Sequence, residues 1–361
     1  MVIPSATNRP SHMNLIRSVL LALLLPFTAF GGDAPPLPAL GVDGQSVTVS
    51  GISSGGYMAV QFHVAHSATV SGAAILAAGP WDCAHGTLWR AFHACMSPGN
   101  WGGPPPTGEE TEKRALAAAR AGQIDSLEGL QADRVWLLSG GNDHTVDRKV
   151  VDSLAAFYRR RVAADALSYV TPPDLGHAMP SLDDPQANPC PTSDPPFINH
   201  CERLDAAGDL LTHLLGPLAP KAPQPTGELR SFDQQSFTAA AGAHGMGAMG
   251  YAYVPTTCRK GGCRLHVAFH GCRQSADQIG DRYARLAGYN RWADTNRLVI
   301  LYPQTTPRYG WSTQWPPTWT YNPLGCWDWW GYESVDYVSR SAPQIRAVQT
   351  MIDRLAAPVG Q

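Results

Sequence analysis

The sequence lacks a strong charge bias, a metal-binding motif and a second long apolar run. Charged residues make up 16% of its 361 residues, the formal net charge is -2, and no basic or acidic block stands out. This composition argues against nucleic acids and anionic membranes as partners. Because neither CxxC nor HExxH is present, we expect no metal and no other cofactor. No apolar run after the N-terminus is long enough to anchor the chain in a membrane. We also predict that the protein is a monomer.

The N-terminus has the order of an export signal. Arg9 and Arg17 precede an apolar run over residues 18–30, and small residues follow at Gly31 and Gly32. The run is short for a membrane span, and this order of charged, apolar and small residues is typical of a signal peptide. We therefore predict a signal peptide at residues 1–31 and a secreted protein, with the periplasm as the alternative location. A buried N-terminal helix is the other interpretation of the run.

The cysteine content agrees with export, because an even number of cysteines in an exported chain favours disulfides. There are eight cysteines, and neighbours along the sequence suggest three pairs and leave a fourth. The predicted disulfides are Cys83–Cys95, Cys190–Cys201, Cys258–Cys263 and Cys272–Cys326. Eight cysteines allow on the order of 100 connectivities, so other pairings stay open, and metal binding is the alternative use of these residues.

Strand patterns alternate with helical patterns along the chain. The predicted strands cover residues 45–50, 73–77, 134–139, 167–171, 264–269 and 298–302, and the predicted helices cover 55–66, 109–121, 150–163, 275–296 and 344–355. Such alternation predicts an α/β fold, in which helices cover both faces of a mostly parallel sheet. A Pro-rich link, residues 216–227, divides the sequence into two parts, and both parts show the alternation.

The sharpest motif is Gly51-Ile52-Ser53-Ser54-Gly55, a G-x-S-x-G pattern between a predicted strand and a predicted helix. The tight turn needs residues without bulk on either side of the serine, so that the serine Oγ projects at a helix N-terminus. We predict Ser53 as a catalytic nucleophile. Ser54 is a rival, but its position in the motif suits its backbone N–H to an oxyanion hole. A Ser/Gly-rich turn without a catalytic role is the other interpretation.

A serine nucleophile needs a base and a carboxylate that orients the base, and α/β-hydrolases have these in the order Ser, Asp, His. Asp143 follows the strand at 134–139, and His177 lies in a loop after the strand at 167–171. Because catalytic groups gather at the carboxyl ends of parallel strands, we predict Asp143 and His177 as triad members. Asp147 is the alternative acid. The competing histidines, which lie beside the acid or on helical segments, are His63, His66, His144 and His213.

An oxyanion hole needs a second backbone donor, usually from a strand-to-helix loop elsewhere in the sheet. The candidate is the segment His270-Gly271-Cys272, which follows the strand at 264–269. In the usual hydrolase order this loop precedes the nucleophile, whereas here it follows all three triad residues. We therefore predict a single circularly permuted α/β-hydrolase domain at residues 38–361, with its halves joined by the link at 216–227. The alternative makes residues 228–361 a separate module.

Tryptophan is concentrated in a turn-rich segment between residues 309 and 332. Six of the 11 tryptophans of the chain lie there, namely Trp311, Trp315, Trp319, Trp327, Trp329 and Trp330. One interpretation is a small aromatic core that anchors loops. The other is an apolar cleft or an adsorption surface for a hydrophobic ester, since tryptophan offers a large apolar area with one polar N–H.

Three segments together resemble extracellular poly(3-hydroxybutyrate) depolymerases of the type whose catalytic domain is circularly permuted. The segments are Ser50–Ala59, Phe269–Ser275 and Asn322–Gly331. The resemblance extends over residues 38–355 and implies one α/β-hydrolase domain that cleaves esters of short-chain polyhydroxyalkanoates. It implies a triad of Ser53, Asp143 and His177, oxyanion donors at Ser54 and Cys272, and substrate contacts from Tyr57, Trp327, Trp329 and Trp330.

The residues and the resemblance together predict a secreted serine esterase that hydrolyses poly(3-hydroxybutyrate) or a related polyester through an acyl-enzyme on Ser53. The expected partner is a hydrophobic polyester or oligoester. Because feruloyl and acetylxylan esterases share the HGC-type motif, an esterase for plant-wall or small soluble esters is the alternative. The alternative outside enzymes is a secreted binding protein with an inactive hydrolase fold.

Overall fold

Strands and helices alternate over most of the protein in its computed structural model, which describes residues 34–99, 102–311 and 319–360. The strands are β1 (Val47–Ile52), β2 (Val70–Leu76), β3 (Arg134–Leu138), β4 (Leu167–Val170), β5 (Met179–Pro180), β6 (Asn188–Pro189), β7 (Ile198–His200), β8 (Glu228–Asp233), β9 (Met249–Val254), β10 (Arg264–Phe269), β11 (Leu298–Tyr302), β12 (Arg308–Trp311) and β13 (Trp319–Asn322). The α-helices are α1 (Ser54–Ala65), α2 (Leu88–His93), α3 (Gly108–Arg120), α4 (Arg148–Tyr158), α5 (Ala206–Leu215), α6 (Gln235–Ala241), α7 (Ala276–Ile279), α8 (Arg282–Leu286), α9 (Tyr289–Thr295) and α10 (Pro343–Ala356). Short 3-10 helices cover Leu127–Ala132, Ala164–Ala166 and Thr256–Cys258. The predicted signal peptide, residues 1–31, lies outside the described residues.

An eight-stranded sheet contains strands from both sides of the Pro-rich link. Its strand order is β4-β3-β2-β1-β10-β11-β9-β8. The strands from β4 to β11 pair in parallel, while β9 pairs antiparallel with both β11 and β8. The predicted α/β fold with a mostly parallel sheet is confirmed.

The pairing of β1 with β10 brings the two halves of the chain together at the centre of the sheet. The two strands are parallel, and Gly51 lies opposite Phe269. Because parallel strands end at the same edge of a sheet, the serine turn after β1 and the HGC loop after β10 leave the sheet side by side. The strand that carries the serine therefore comes first in the chain, and the strand that carries the HGC loop comes later, as a circular permutation requires.

The Pro-rich link packs against both halves of the chain. The backbone N–H of Ala222 donates to the carbonyl of Arg291 at 2.9 Å, and the Arg291 side chain returns a bond to the Ala222 carbonyl at 2.7 Å. Lys221 forms an ion pair with Asp205 just before α5. The link is therefore part of the folded unit that spans Ala34–Gln361.

The core lies on both faces of the sheet, since alternate residues of each strand point to opposite faces. In β10, Leu265 and Val267 belong to one buried cluster, while Ala268 belongs to the other. All residues of α1 are buried. The helix that follows the serine is therefore a core helix, which fixes the serine turn firmly.

Two of the predicted helices differ from the observed elements. The helical pattern at 275–296 is divided into α7, α8 and α9, because Gly280 and Gly288 adopt φ values of 63° and 98° that interrupt a right-handed helix. The helix predicted at 150–163 ends earlier, at Tyr158.

All eight cysteines form disulfides. The pairs are Cys83–Cys95, Cys190–Cys201, Cys258–Cys263 and Cys272–Cys326, the same four that the sequence predicts.

Among the described residues, no helix combines the length and the apolarity that a bilayer crossing demands.

Candidate active site

Ser53 occupies the tight turn between β1 and α1. Its φ of 56° and ψ of -125° are strained values for a residue with a side chain. A Cβ on Gly51 would collide with the carbonyl of Gly55, and a Cβ on Gly55 would collide with the carbonyls of Phe269 and His270. The first glycine is therefore required by the turn, and the second by the close approach of α1 to the HGC loop.

Asp143 and His177 form a buried, hydrogen-bonded pair. Nδ1 of His177 lies 2.8 Å from Oδ2 of Asp143. The other carboxylate oxygen accepts the backbone N–H groups of Thr145 at 2.8 Å and Val146 at 3.0 Å, which fixes the direction of the carboxylate. With its Nδ1–H donated to Asp143, the imidazole presents Nε2 as the atom that can accept a proton.

The predicted nucleophile and base face one cavity. Ser53, His177 and Cys272 line a space of about 210 Å³, together with Ser193. The hydroxyl of Ser193 accepts the backbone N–H of His177 at 2.8 Å and so holds the loop that carries the base. The structure thus brings the three sequence-predicted elements of an acyl-transfer site to one place.

The rival residues lie elsewhere. Asp147 is the N-cap of α4, where its carboxylate accepts a backbone N–H at 2.8 Å. The imidazole of His63 is buried between Asp133 and Tyr158, at 2.9 Å from each. Nε2 of His213 bonds a backbone carbonyl at 2.8 Å. These contacts give the three residues structural roles.

The HGC loop is held by hydrogen bonds on both sides of Cys272. The N–H of Gly271 donates to Oε1 of Gln274 at 2.7 Å, and the N–H of Arg273 donates to the carbonyl of Leu324 at 2.8 Å. The N–H of Cys272 lies between these two engaged groups, in the loop that adjoins the serine turn. The other predicted oxyanion donor, the backbone N–H of Ser54, belongs to the first turn of α1, where N–H groups have no partner within the helix.

Beneath this loop, His270 is a neutral structural residue. Its Nδ1 donates to the carbonyl of Gly271 at 2.7 Å, and its Nε2 accepts the N–H of Thr305 at 3.1 Å. Burial lowers the pKa of His270 to about 4, so the ring stays uncharged near neutral pH. His270 therefore sets the shape of the loop and is not available as a base.

Trp327 requires a correction to the sequence prediction. It is 0% exposed, its ring meets Phe269 edge-on at 5.0 Å, and its indole N–H donates to the carbonyl of His270 at 3.0 Å. A side chain in this position has no surface left for a substrate. Trp327 supports the HGC loop from below, in keeping with the interpretation of the tryptophan segment as a small aromatic core.

A second cavity, also about 210 Å³, opens beside Ser53, and the described residues that line it include no charged side chain. Its wall contains Tyr57, Trp329 and Trp330, which are the other predicted substrate-binding residues. The rings of Tyr57 and Trp329 stack with centroids 4.1 Å apart, and Trp330 meets Trp329 edge-on at 5.4 Å. The rings brace one another and form a rigid apolar wall.

Sequence reasoning missed three further apolar residues that line this cleft. They are Leu88 and Phe92 on α2, and Met96 just after the helix. The apolar spacing of Leu88 and Phe92, four residues apart, is the signal that predicts a helix with one apolar face, but α2 is too short to stand out.

A buried carboxylate that sequence reasoning also missed shapes the turn after the tryptophans. Asp328 accepts the backbone N–H groups of residues 331–334 at 2.8 to 3.2 Å. Burial raises the pKa of the Asp328 carboxyl to about 7, although these N–H groups favour its ionised form. The sequence signal for this buried carboxylate is that Asp328 is the only acidic residue within the aromatic run Trp327–Trp330.

The Cys272–Cys326 disulfide connects the HGC loop to the segment that carries the cleft tryptophans. It joins residues 54 apart in sequence, compared with five for Cys258–Cys263. In the chain-entropy description, loss of the Cys272–Cys326 bond lowers the free energy of unfolding by about 4 kcal/mol, and loss of the Cys258–Cys263 bond lowers it by about 2 kcal/mol. The first bond also fixes a proposed oxyanion donor, so its loss is expected to affect catalysis as well as stability.

We expect replacement of both Cys272 and Cys326 by serine to lower kcat/KM on a soluble ester about tenfold or more, at a temperature where the variant is fully folded. The matched control replaces Cys258 and Cys263, and its kcat/KM is expected to stay close to that of the wild type. Thermal unfolding of both variants separates the two effects. Equal kcat/KM values for both variants would show that this disulfide has no role in the site.

The eight-stranded sheet, the strained serine turn and the Asp–His pair beside it define the class of α/β-hydrolases. No family model matches the sequence. The chain is 40% identical over 358 residues to a poly(3-hydroxybutyrate) depolymerase of Delftia acidovorans, an alignment that covers 96% of this chain and 67% of the relative. It is 37% identical over 349 residues to a polyhydroxybutyrate depolymerase of Talaromyces funiculosus, with 95% and 96% covered.

Solved structures agree with the sequence comparison. The crystal structure of a PHB depolymerase from Penicillium funiculosum matches with a TM-score of 0.80 at 34% identity, over 89% of this chain and 99% of the other. A PHB depolymerase with a serine-to-alanine substitution, solved in complex with an R3HB trimer, matches with a TM-score of 0.78, also at 34% identity and with the same coverage. The chain belongs to the polyhydroxybutyrate depolymerase family and is a carboxylic ester hydrolase. The predicted family resemblance is thereby confirmed.

Proposed function

We propose that the protein hydrolyses the ester bonds of poly(3-hydroxybutyrate) or a related short-chain polyhydroxyalkanoate, through an acyl-enzyme on Ser53. One observation carries the proposal. Ser53, His177 and Cys272 line a single cavity, and an uncharged aromatic cleft opens from the same serine. The relatives named for this polyester give the substrate class.

The first half of the reaction acylates the serine. His177 Nε2 removes the proton of Ser53 as Oγ attacks the ester carbonyl, and Asp143 stabilises the imidazolium that forms. The N–H groups of Ser54 and Cys272 stabilise the oxyanion, each by roughly 3 kcal/mol. The tetrahedral intermediate then releases the alcohol end of the neighbouring unit, which takes the proton from His177.

The second half frees the enzyme. His177 removes a proton from water, and the resulting hydroxide attacks the acyl carbonyl. When this intermediate collapses, Ser53 Oγ leaves and regains its proton from His177, and a 3-hydroxyacid is released. All of these steps use side chains and backbone groups of the chain itself.

The aromatic hairpin β12–β13 supports a hydrophobic, extended substrate. Tyr309 and Trp311 are 70% and 69% exposed, and each ring lies within 5.5 Å of Trp319 on the other strand. Tyr321 of the same hairpin also lines the apolar cleft. A group of exposed rings beside a cleft is typical of a surface that contacts an apolar partner. Trp315 lies outside the described residues.

The proposed function includes export of the protein from the cell. Four disulfides suit an oxidising compartment. The monomeric state and the absence of a membrane anchor stay predictions.

The substrate is tested by offering the enzyme amorphous polyhydroxybutyrate, feruloyl esters and p-nitrophenyl esters under the same conditions. We expect release of 3-hydroxybutyrate or its short oligomers from the polymer, with kcat/KM for feruloyl esters far below that for 3-hydroxybutyrate oligomers. The Ser53→Ala variant serves as the blank in each assay. Efficient cleavage of feruloyl esters with an untouched polymer would instead support the plant-wall esterase. An absence of cleavage of every ester would support the inactive binding protein.

A further inference from the structure

The two cavities that Ser53 lines differ in the charge of their lining residues. The aromatic cleft has no charged side chain among its described lining residues. The cavity that contains His177 has one permanent charge among its described lining residues, the guanidinium of Arg273. An ester that spans Ser53 therefore places one end against aromatic rings and the other end near a cation.

Arg273 is held at this place by its backbone and by one aromatic ring. Its φ of 62° is a left-handed conformation, and its N–H bonds the carbonyl of Leu324 at 2.8 Å. The guanidinium carbon lies 5.6 Å from the centroid of the Phe197 ring, a cation–π distance. The same Phe197 ring meets His177 edge-on at 6.4 Å. One ring thus contacts both the proposed general acid and the cation.

Two other polar side chains of this cavity, Ser193 and Gln274, have partners within the protein. Ser193 accepts the N–H of His177. Gln274 uses its carbonyl oxygen on Gly271 and its amide nitrogen on the carbonyl of Phe197 at 3.1 Å. Arg273 is exposed, and no carboxylate of the described residues forms an ion pair with it. The guanidinium donors therefore have no acidic partner among the described residues and can bind a ligand.

The chemistry of the reaction identifies that ligand. His177 must protonate the leaving alcohol, so the leaving unit lies in the cavity of His177. When the scissile ester is the last one of an oligomer, the leaving unit is a 3-hydroxyacid. Two carbon atoms separate its leaving oxygen from its free carboxylate group. A guanidinium is the side chain best suited to bind a carboxylate.

We propose that Arg273 binds the free carboxylate of the leaving hydroxyacid, so that the enzyme prefers the ester bond next to the carboxyl end of short oligomers. The inference rests on the proposed function, since it assumes that Ser53 and His177 carry the reaction. It adds a specificity residue that acts on oligomeric acids released from the polymer. Arg273 contacts the carboxylate and takes no part in proton transfer.

The test compares a 3-hydroxybutyrate trimer as its free acid with the same trimer as its methyl ester. The measured quantity is the ratio of the two kcat/KM values, acid over methyl ester. We expect Arg273→Gln to lower this ratio about tenfold relative to the wild type, and Arg273→Lys to restore part of it, because lysine keeps the charge without the planar fork. Added salt should lower the ratio for the wild type and leave it unchanged for Arg273→Gln.

The matched control is Arg120→Gln, which removes an exposed arginine from α3, outside both cavities, and should keep the wild-type ratio. Thermal unfolding confirms that each variant is folded. An unchanged ratio in Arg273→Gln, with cleavage of both trimers intact, would overturn this inference and leave the proposed function standing. Failure of the wild type to cleave either trimer would overturn the proposed function, and this inference with it.

Discussion

Replacement of Ser53 by alanine is expected to reduce kcat for ester hydrolysis about 10⁶-fold, the loss seen when the nucleophile of a serine hydrolase is removed. The reason is that no acyl-enzyme can form without the Ser53 hydroxyl. The residual rate comes from the oxyanion hole and from substrate binding, which do not depend on that hydroxyl. The measurement is the release of 3-hydroxyacid from an oligomer by equal amounts of folded wild type and variant.

Ser54 provides the discriminating control, because it is the neighbouring serine and the rival nucleophile. Its side chain is buried within α1, whereas Ser53 lines the cavity. Ser54→Ala keeps the backbone N–H that we propose as an oxyanion donor, so it is expected to retain most of the activity. If Ser54→Ala lost as much activity as Ser53→Ala while folding normally, the assignment of the nucleophile would be wrong.

The second large loss of kcat is expected from replacement of Asp143, the predicted acid of the triad. Asp143→Asn should lower kcat about 10⁴-fold, because an amide that donates a hydrogen bond to the imidazole favours the wrong tautomer. In the structure, Oδ2 of Asp143 accepts from Nδ1 of His177, and this leaves Nε2 as the base. The Asn side chain can still accept the N–H groups of Thr145 and Val146 through its oxygen, so the loop is expected to keep its shape.

Asp147→Asn is the matched control for this prediction. Asp147 lies four residues further along the chain and caps α4 through a backbone N–H at 2.8 Å. Asparagine is also a good N-cap, so stability should change little, and kcat should stay within a few-fold of the wild type. A large loss of kcat in Asp147→Asn, with Asp143→Asn active, would exchange the roles of the two carboxylates.

The parts of the site that lie in local sequence patterns could be predicted. The turn at Ser53 needs Gly51 and Gly55 within a few residues, and the strand and helix on either side have clear apolar patterns. Asp143 and His177 lie in the loops that follow predicted strands, and parallel strands bring such loops to one edge of the sheet. The general order of strands and helices in both halves of the chain depends on the same local patterns, and so the α/β fold could be predicted.

Features that depend on contacts between distant segments could not be predicted in the same way. The antiparallel strands β8 and β9 were missed, since β8 is a half-exposed edge strand with a polar sequence and β9 has a glycine, Gly250, at its second position. Trp327, Trp329 and Trp330 are close in sequence, yet only the last two line the cleft. Trp327 is fully enclosed and bonded to the carbonyl of His270, a residue more than fifty positions away along the chain, and this contact cannot be read from the local pattern.

Ser53 as the activated nucleophile is tested most directly by covalent labelling of the folded enzyme with a fluorophosphonate, followed by mass spectrometry of its peptides. A serine reacts with this probe only when a base and an oxyanion hole activate it. We expect a single modification, on Ser53. Modification of Ser54 instead, or a folded protein that stays unmodified, would contradict this expectation.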